Sequence, residues 1–120
     1  MSTGTGTDVS IVLVAAPSIE VGRRIATTLV EERLAACVNI VPEVRSIFRW
    51  EGRLEDESEV LLLIKTRTER LGPLEARVRA LHPYSVPEVV ALPVTSGHQP
   101  YLDWVTSSVR AKGGGEPDQE

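Results

Sequence analysis

The apolar residues of this chain fall into short unbroken runs and helical stripes, and their order predicts the fold. Ile11 to Ala16 (IVLVAA) is continuously apolar and stops at Pro17, which reads as a strand reaching back to Val9. Ser18 offers a capping hydroxyl and Glu20 an anion for the first turn of a helix. Ile25, Ala26, Leu29, Val30 and Leu34 recur at helical spacing, so the helix is expected over 19–34. Ala36 to Val41 is again largely apolar. After Pro42 the chain alternates, with Val44, Ser46, Phe48 and Trp50 on one face and Arg45, Ile47 and Arg49 on the other. That pattern predicts a long second strand, bent near the proline. Glu51-Gly52-Arg53 marks a hairpin, and Val60 to Ile64 (VLLLI), continuing through Lys65, is the third strand. Thr66 and Glu69 have capping-box spacing, and Leu71, Leu74, Val78 and Leu81 predict a second helix over 67–81, with Pro73 admissible only near its start. Val89 to Val94 is the fourth strand. Ser96 with Gln99, followed by Leu102, Val105 and Val109, predicts a short third helix.

The order β-α-β-β-α-β-α specifies an α+β class and a ferredoxin-like sandwich, a four-stranded antiparallel sheet with helices on one face and an added C-terminal helix. Such a sheet needs apolar residues only at alternate strand positions. Yet IVLVAA, VLLLI and VVAL are apolar at every position, which is the mark of strands covered on both faces. One short third helix cannot cover a whole face. Leaving it bare would expose apolar surface worth several kcal/mol at ~25 cal/mol per Å². The chain is therefore expected to be an obligate homo-oligomer.

Composition narrows the function classes. At 120 residues with net charge −4, the chain is one domain with no basic patch, so nucleic-acid binding has no electrostatic footprint. Met1 to Asp8 and Ala111 to Glu120 read as disordered tails around a single domain over 9–110. Cys37 is the one cysteine, which excludes an intrachain disulfide and suits a reducing compartment. The N-terminus lacks the basic and apolar regions of a signal peptide, and no apolar run approaches the ~20 residues of a membrane span. A cytoplasmic protein without a membrane segment is expected.

Candidate chemistry gathers at Leu81 to Pro93 (LHPYSVPEVVALP), where His82, Tyr84 and Glu88 stand around Pro83 and Pro87. Two prolines stiffen the connection. An imidazole, a phenol and a carboxylate on a stiff loop form either a ligand site or a lock between subunits. The position just before a two-sided apolar strand favours the lock. His82 is either a metal ligand or a cap for the second helix, and His98 caps the third. Cys37 is either a soft metal ligand or a small core residue. Lys65, ending an apolar strand, is expected to pair with Glu88 or Glu59, or to meet an anion in an inter-subunit cleft. Trp50 and Tyr84 would line such a cleft or bury themselves at the interface, and Trp104 with Tyr101 would pack the third helix on a neighbour. The acidic run Leu54 to Glu59 either attracts cations weakly or is simply a solvated hairpin; it lacks the glycine and spacing of a calcium loop, and the solvated hairpin is the favoured reading. No nucleophile elbow, P-loop or dinucleotide fingerprint is present, so nothing points to catalysis.

Five stretches together resemble the CutA family of divalent-cation tolerance proteins: TLVEERLAACVNIVP (Thr28 to Pro42), SIFRWEG (Ser46 to Gly52), EVLLLIKT (Glu59 to Thr66), LHPYSVPEVVALPV (Leu81 to Val94) and YLDWV (Tyr101 to Val105). The resemblance covers about Ile11 to Val109. It implies a compact trimer with strands pairing edge to edge between subunits, kinship to the PII signalling proteins, an association with copper and other divalent metals, and no catalytic activity. Some relatives carry further cysteines where this chain has Val14 and in the second helix, where it has none, which weighs against tight thiolate-based copper binding. The leading expectation is a non-enzymatic homotrimer that binds divalent metal, copper foremost, with Cys37 and His82 as candidate ligands. The alternatives are a PII-like module binding a small anion in a cleft lined by Arg49, Trp50, Lys65, Tyr84 and Glu88, and a scaffold for a partner protein.

Overall fold

The computed structural model describes residues 6–112. Its elements run β1 (Val9–Ala16), α1 (Ile19–Glu31), β2 (Cys37–Trp50), β3 (Arg53–Arg67), a 3-10 turn (Thr68–Arg70), α2 (Leu71–Leu81), β4 (Val90–Pro93) and α3 (Gln99–Ser108). The four strands form one sheet in the order β2-β3-β1-β4, every neighbouring pair antiparallel. This is the ferredoxin-like arrangement expected from the pattern.

The helices lie on one face. Val12, Val14 and Ala16 of β1 and Val60, Leu62 and Ile64 of β3 pack with Ile25 and Leu29 of α1 and Leu74 and Val78 of α2 into the main core. Gly22 lets α1 approach: a Cβ there would stand 3.0 Å from Val60 Cγ2 and 3.3 Å from Leu62 Cδ2. The second face carries Ile11, Leu13 and Ala15 opposite Lys65, Leu63 and Leu61. Its other neighbours are Val90 and Leu92 of β4. Among the described residues only one end of this face is covered, where Leu102, Val105 and Val109 from α3 and its following residue meet Val9, Ala36 and Val94.

Several boundaries differ from the pattern for local reasons. α1 stops at Glu31, before the predicted Leu34, because Arg33 turns left-handed at φ 61°. Leu34 N–H then donates back to Leu29 O and Arg33 N–H to Val30 O, a Schellman ending. Leu34 continues the apolar stripe because it folds back onto the core, not because it is helical. Thr66 does not cap α2; its buried hydroxyl donates to Leu34 O at 2.7 Å. His98 occupies the N-cap position of α3 but makes no side-chain capping bond. The acidic run lies in the hairpin, as expected, but as strand: the third strand begins well before Val60. The run belongs to β3, which starts at Arg53, directly after a tight turn at Glu51 (φ 51°) and Gly52 (φ 79°). Both positions need positive φ, as in a type I′ hairpin. The β2–β3 hairpin thereby extends as an arm past the helices, and the register shifts between Val41 and Val44, beside Pro42.

At the N-terminus, Thr7 is tied down rather than loose: its N–H and hydroxyl both donate to Val94 O, at 3.1 and 2.8 Å. Residues 1–5 and 113–120 lie outside the described residues, and the expectation of disorder there stands apart from this structure.

Candidate functional site

A groove of about 780 Å³ runs between the arm and the loop after α2. One wall comes from β3, where residues 55, 57 and 59 point to the same face by strand alternation. Their partners across the ladder are Phe48, Ser46 and Val44. The other wall is the loop carrying Tyr84, Ser85, Val86 and Glu88, and Trp50 stands toward the tip. Four carboxylates line the groove (Glu55, Glu57, Glu59 and Glu88), and among the described residues no lysine or arginine does.

The loop is fixed by His82. Its backbone N–H caps α2 on Val78 O, while its buried ring turns away from the helix end. Tyr84 N–H donates to Nδ1 at 3.1 Å, so Nδ1 is the bare nitrogen, and Nε2–H donates to Ala15 O at 2.7 Å. The imidazole is thus neutral and spends its lone pair inside the fold. His82 positions the loop, and its ring has no lone pair left for a metal in this arrangement. The Tyr84 ring stands beside it, tilted by 51° with centroids 4.7 Å apart, and the Tyr84 hydroxyl donates to Glu59 Oε2 at 2.7 Å. Burial, then that bond, then the charges of Glu59 and Glu57 push the Tyr84 phenol up to about 12.

Lys65 lies elsewhere. Its ammonium bonds Asn39 Oδ1 and sits 3.5 Å from Cys37 Sγ, which in turn is 3.8 Å from the Tyr101 hydroxyl. Burial first, and then the thiol beside it, raise the Tyr101 phenol. The expected Lys65 pairing with Glu59 or Glu88 does not occur: Glu59 is six residues back along the same strand, roughly 20 Å away, and its partner is Tyr84. Arg49 pairs with Leu54, one register step from Phe48, so it faces the opposite side of the arm from the groove. Of the five cleft candidates, the structure brings Trp50, Tyr84 and Glu88 together and leaves Arg49 and Lys65 out.

Cys37 and His82 do not meet either. Cys37 is level with Lys65 and Ile11, whereas His82 hangs from Ala15, four residues further along β1. That is roughly 13 Å along the sheet. Among the described residues, no three His, Cys, Asp or Glu side chains converge as a metal cage. Pattern reading keeps Glu55 and Glu57 in a solvated hairpin that at most attracts cations weakly, and takes Phe48 only as a strand residue. The signal available was a carboxylate at every second position beside an alternating β2.

The family model for the CutA1 divalent ion tolerance protein matches residues 10–108. The chain belongs to the CutA1 family. It is 58% identical over 95 residues to the divalent-cation tolerance protein CutA of Thermus thermophilus, covering 79% of this chain and 92% of that one. A solved structure of the divalent cation tolerance protein from Thermus thermophilus superposes with a TM-score of 0.83 at 54% identity, covering 85% of this chain and 99% of the other. The chloroplastic CutA protein of Arabidopsis thaliana is 50% identical over 100 residues, 83% of this chain but 55% of the plant protein. A chloroplastic relative means that membership of CutA1 does not by itself imply the cytoplasm. Among the described residues no helix is long and apolar enough to cross a membrane.

Proposed function

We propose that this CutA1 chain acts, without catalysis, as a cytoplasmic homotrimer that binds divalent metal ions between its subunits, copper foremost, and so contributes to tolerance of them. The acidic groove carries the reading: among the described residues four carboxylates and no basic residue line it, so its field draws cations in and turns anions away. The same feature speaks against a PII-like site for an anionic metabolite. Because one chain alone offers no three converging ligands among its described residues, the ion is held by groups of more than one subunit. Copper(II) is the expected best fit on the general order of divalent affinities for nitrogen and oxygen donors. Assembly is supported by the second sheet face, where Val90 and Leu92 are each 47% exposed and Trp50 is as bare.

Calorimetric titration of the assembled protein with Cu(II) and Zn(II) tests this. Saturable Cu(II) binding, weakened in a Glu57→Gln, Glu88→Gln double variant and retained in Cys37→Ala, is the expected result. Light scattering should give three times the chain mass. Absence of saturable binding, or full binding in the double variant, would overturn the groove as the site.

A further inference from the structure

The connection from α2 to β4 has little burial of its own to hold it. Between Leu81 and Val89 only His82 is buried, while Pro83 to Val86 and Glu88 are exposed. Among the described residues, the hydrogen bonds of residues 83–88 both belong to Tyr84. Its N–H donates to His82 Nδ1 at 3.1 Å, and its hydroxyl donates to Glu59 Oε2 at 2.7 Å. His82 itself is anchored twice. Its backbone N–H donates to Val78 O at 2.8 Å, ending α2, and its Nε2–H donates to Ala15 O of β1 at 2.7 Å. The Ala15 carbonyl, the imidazole, Tyr84 and Glu59 thus tie β1, the loop and β3 together in series.

The two ring bonds respond oppositely to a proton. The Ala15 carbonyl can only accept and the Tyr84 N–H can only donate, so the ring carries its hydrogen on Nε2 and its lone pair on Nδ1. A proton taken from solvent onto Nδ1 turns that acceptor into a donor. The bond to Ala15 O then gains a charged donor and strengthens. The bond from Tyr84 N–H is lost, because two donors face each other. A shielded N–H without an acceptor is unfavourable, so the Tyr84 backbone moves off and takes its ring and hydroxyl with it. The titratable groups facing the imidazole are the Tyr84 phenol on the loop and, behind it on β3, Glu59 and Glu57. β1 and α2 present the backbone carbonyls of Ala15 and Val78.

We propose that His82 is an acid-released latch: its neutral ring clamps the α2–β4 connection to the sheet, and protonation at Nδ1 frees Tyr84 and its neighbours while the ring stays on Ala15. The clamped state belongs to the neutral ring. It is complete at higher pH and is lost as pH falls through the range in which imidazoles titrate, about 8 to 5. The connection leads into β4, whose Val90 and Leu92 stand on the open sheet face, so the latch makes the entry to that edge strand pH-dependent. It involves no ligand and holds whatever the groove binds.

Nuclear magnetic resonance of the full-length protein, titrated from about pH 8 to about pH 5, tests this by following the His82 ring nitrogens and the Tyr84 amide together. His98, exposed and making no side-chain capping bond, serves as the free imidazole for reference. The expected result is one midpoint shared by Nδ1 protonation and the Tyr84 amide shift. Hydrogen-exchange protection of Tyr84 should fall up to about tenfold, the worth of one hydrogen bond, with the amides of β1 and β3 unchanged. His82→Gln keeps a donor for Ala15 O and has nothing to protonate, so the step at Tyr84 should vanish. Glu59→Gln still accepts from the Tyr84 hydroxyl, so the step should remain. A protonated His82 with the Tyr84 amide unmoved, a ring that stays neutral until the whole chain unfolds, or a step that persists in His82→Gln would each overturn the proposal. A step abolished by Glu59→Gln would assign the change to the carboxylate and overturn it as well. Should His82→Gln not fold, the two midpoints of the unaltered chain and the Glu59→Gln variant decide the matter.

Discussion

Leu62 and Leu63 are adjacent on β3 and chemically identical, yet they meet different surroundings. Leu62 is fully buried among Val14, Ile25, Leu29 and Leu74 on the helix-covered face. Leu63 sits half-covered beside Leu13 and Asn39, on the face that extends to the exposed Val90 and Leu92. One face is finished by the chain's own helices. The other is equally apolar and is finished only at the α3 end. The lesson is that apolar content marks what must be buried, while the available helices decide what the single chain can bury.

The largest expected effect separates these two faces. Leu62→Ala should cost about 2–5 kcal/mol in urea denaturation, since it opens a cavity in a packed core, and the loss should not depend on protein concentration. Leu63→Ala should cost much less per chain and act instead through assembly, making stability concentration-dependent. Equal, concentration-independent losses would break the comparison. A smaller effect sharpens the self-sufficient side. Ser18 Oγ accepts from Val21 N–H at 3.2 Å and starts α1, so Ser18→Ala should lower stability by about 1 kcal/mol without changing assembly. The smallest effect lies on the open side. Folding raises the Tyr84 phenol from 10.0 to about 12, so its protonated form favours the folded chain. That contribution is complete below about pH 10 and is lost as pH rises toward 12. Absorbance at alkaline pH should show a late phenolate step, missing in Tyr84→Phe. A Tyr84 titrating at its ordinary value would argue that the bond to Glu59 is not formed.

Much of the fold was legible because its signals are local. The run IVLVAA ended at Pro17, Ser18 stood ready as a cap, and Glu51-Gly52 marked the hairpin; the structure has a strand, a capped helix and a tight turn at those places. Where reading by pattern faltered, a residue had a tertiary job that mimicked or hid a local one. Leu34 kept helical spacing while packing from a Schellman turn. Thr66 looked like a cap while bonding a carbonyl across the core. Residues 54–59 hid a strand because, with nearly every side chain polar, no apolar alternation marked it.

The site was less legible for the same reason. His82, Tyr84 and Glu88 stand out as a group because two prolines hold them close in sequence, and the structure puts Tyr84 and Glu88 on the groove while His82 braces the loop from inside. What His82, Tyr84 and Lys65 do depends on distant partners: Ala15 O for His82, Glu59 for Tyr84, and Asn39 with Cys37 for Lys65. The sequence alone determined the element order, the antiparallel sandwich and the excess of apolar strand surface, because backbone geometry and periodicity act over a few residues. Only the tertiary structure decided that His82 is spent as a strut, that Arg49 and Lys65 stand away from the groove, and that its walls are acidic and aromatic. Those outcomes depend on which strand lies beside which and in what register, and register is set by the whole packed sheet.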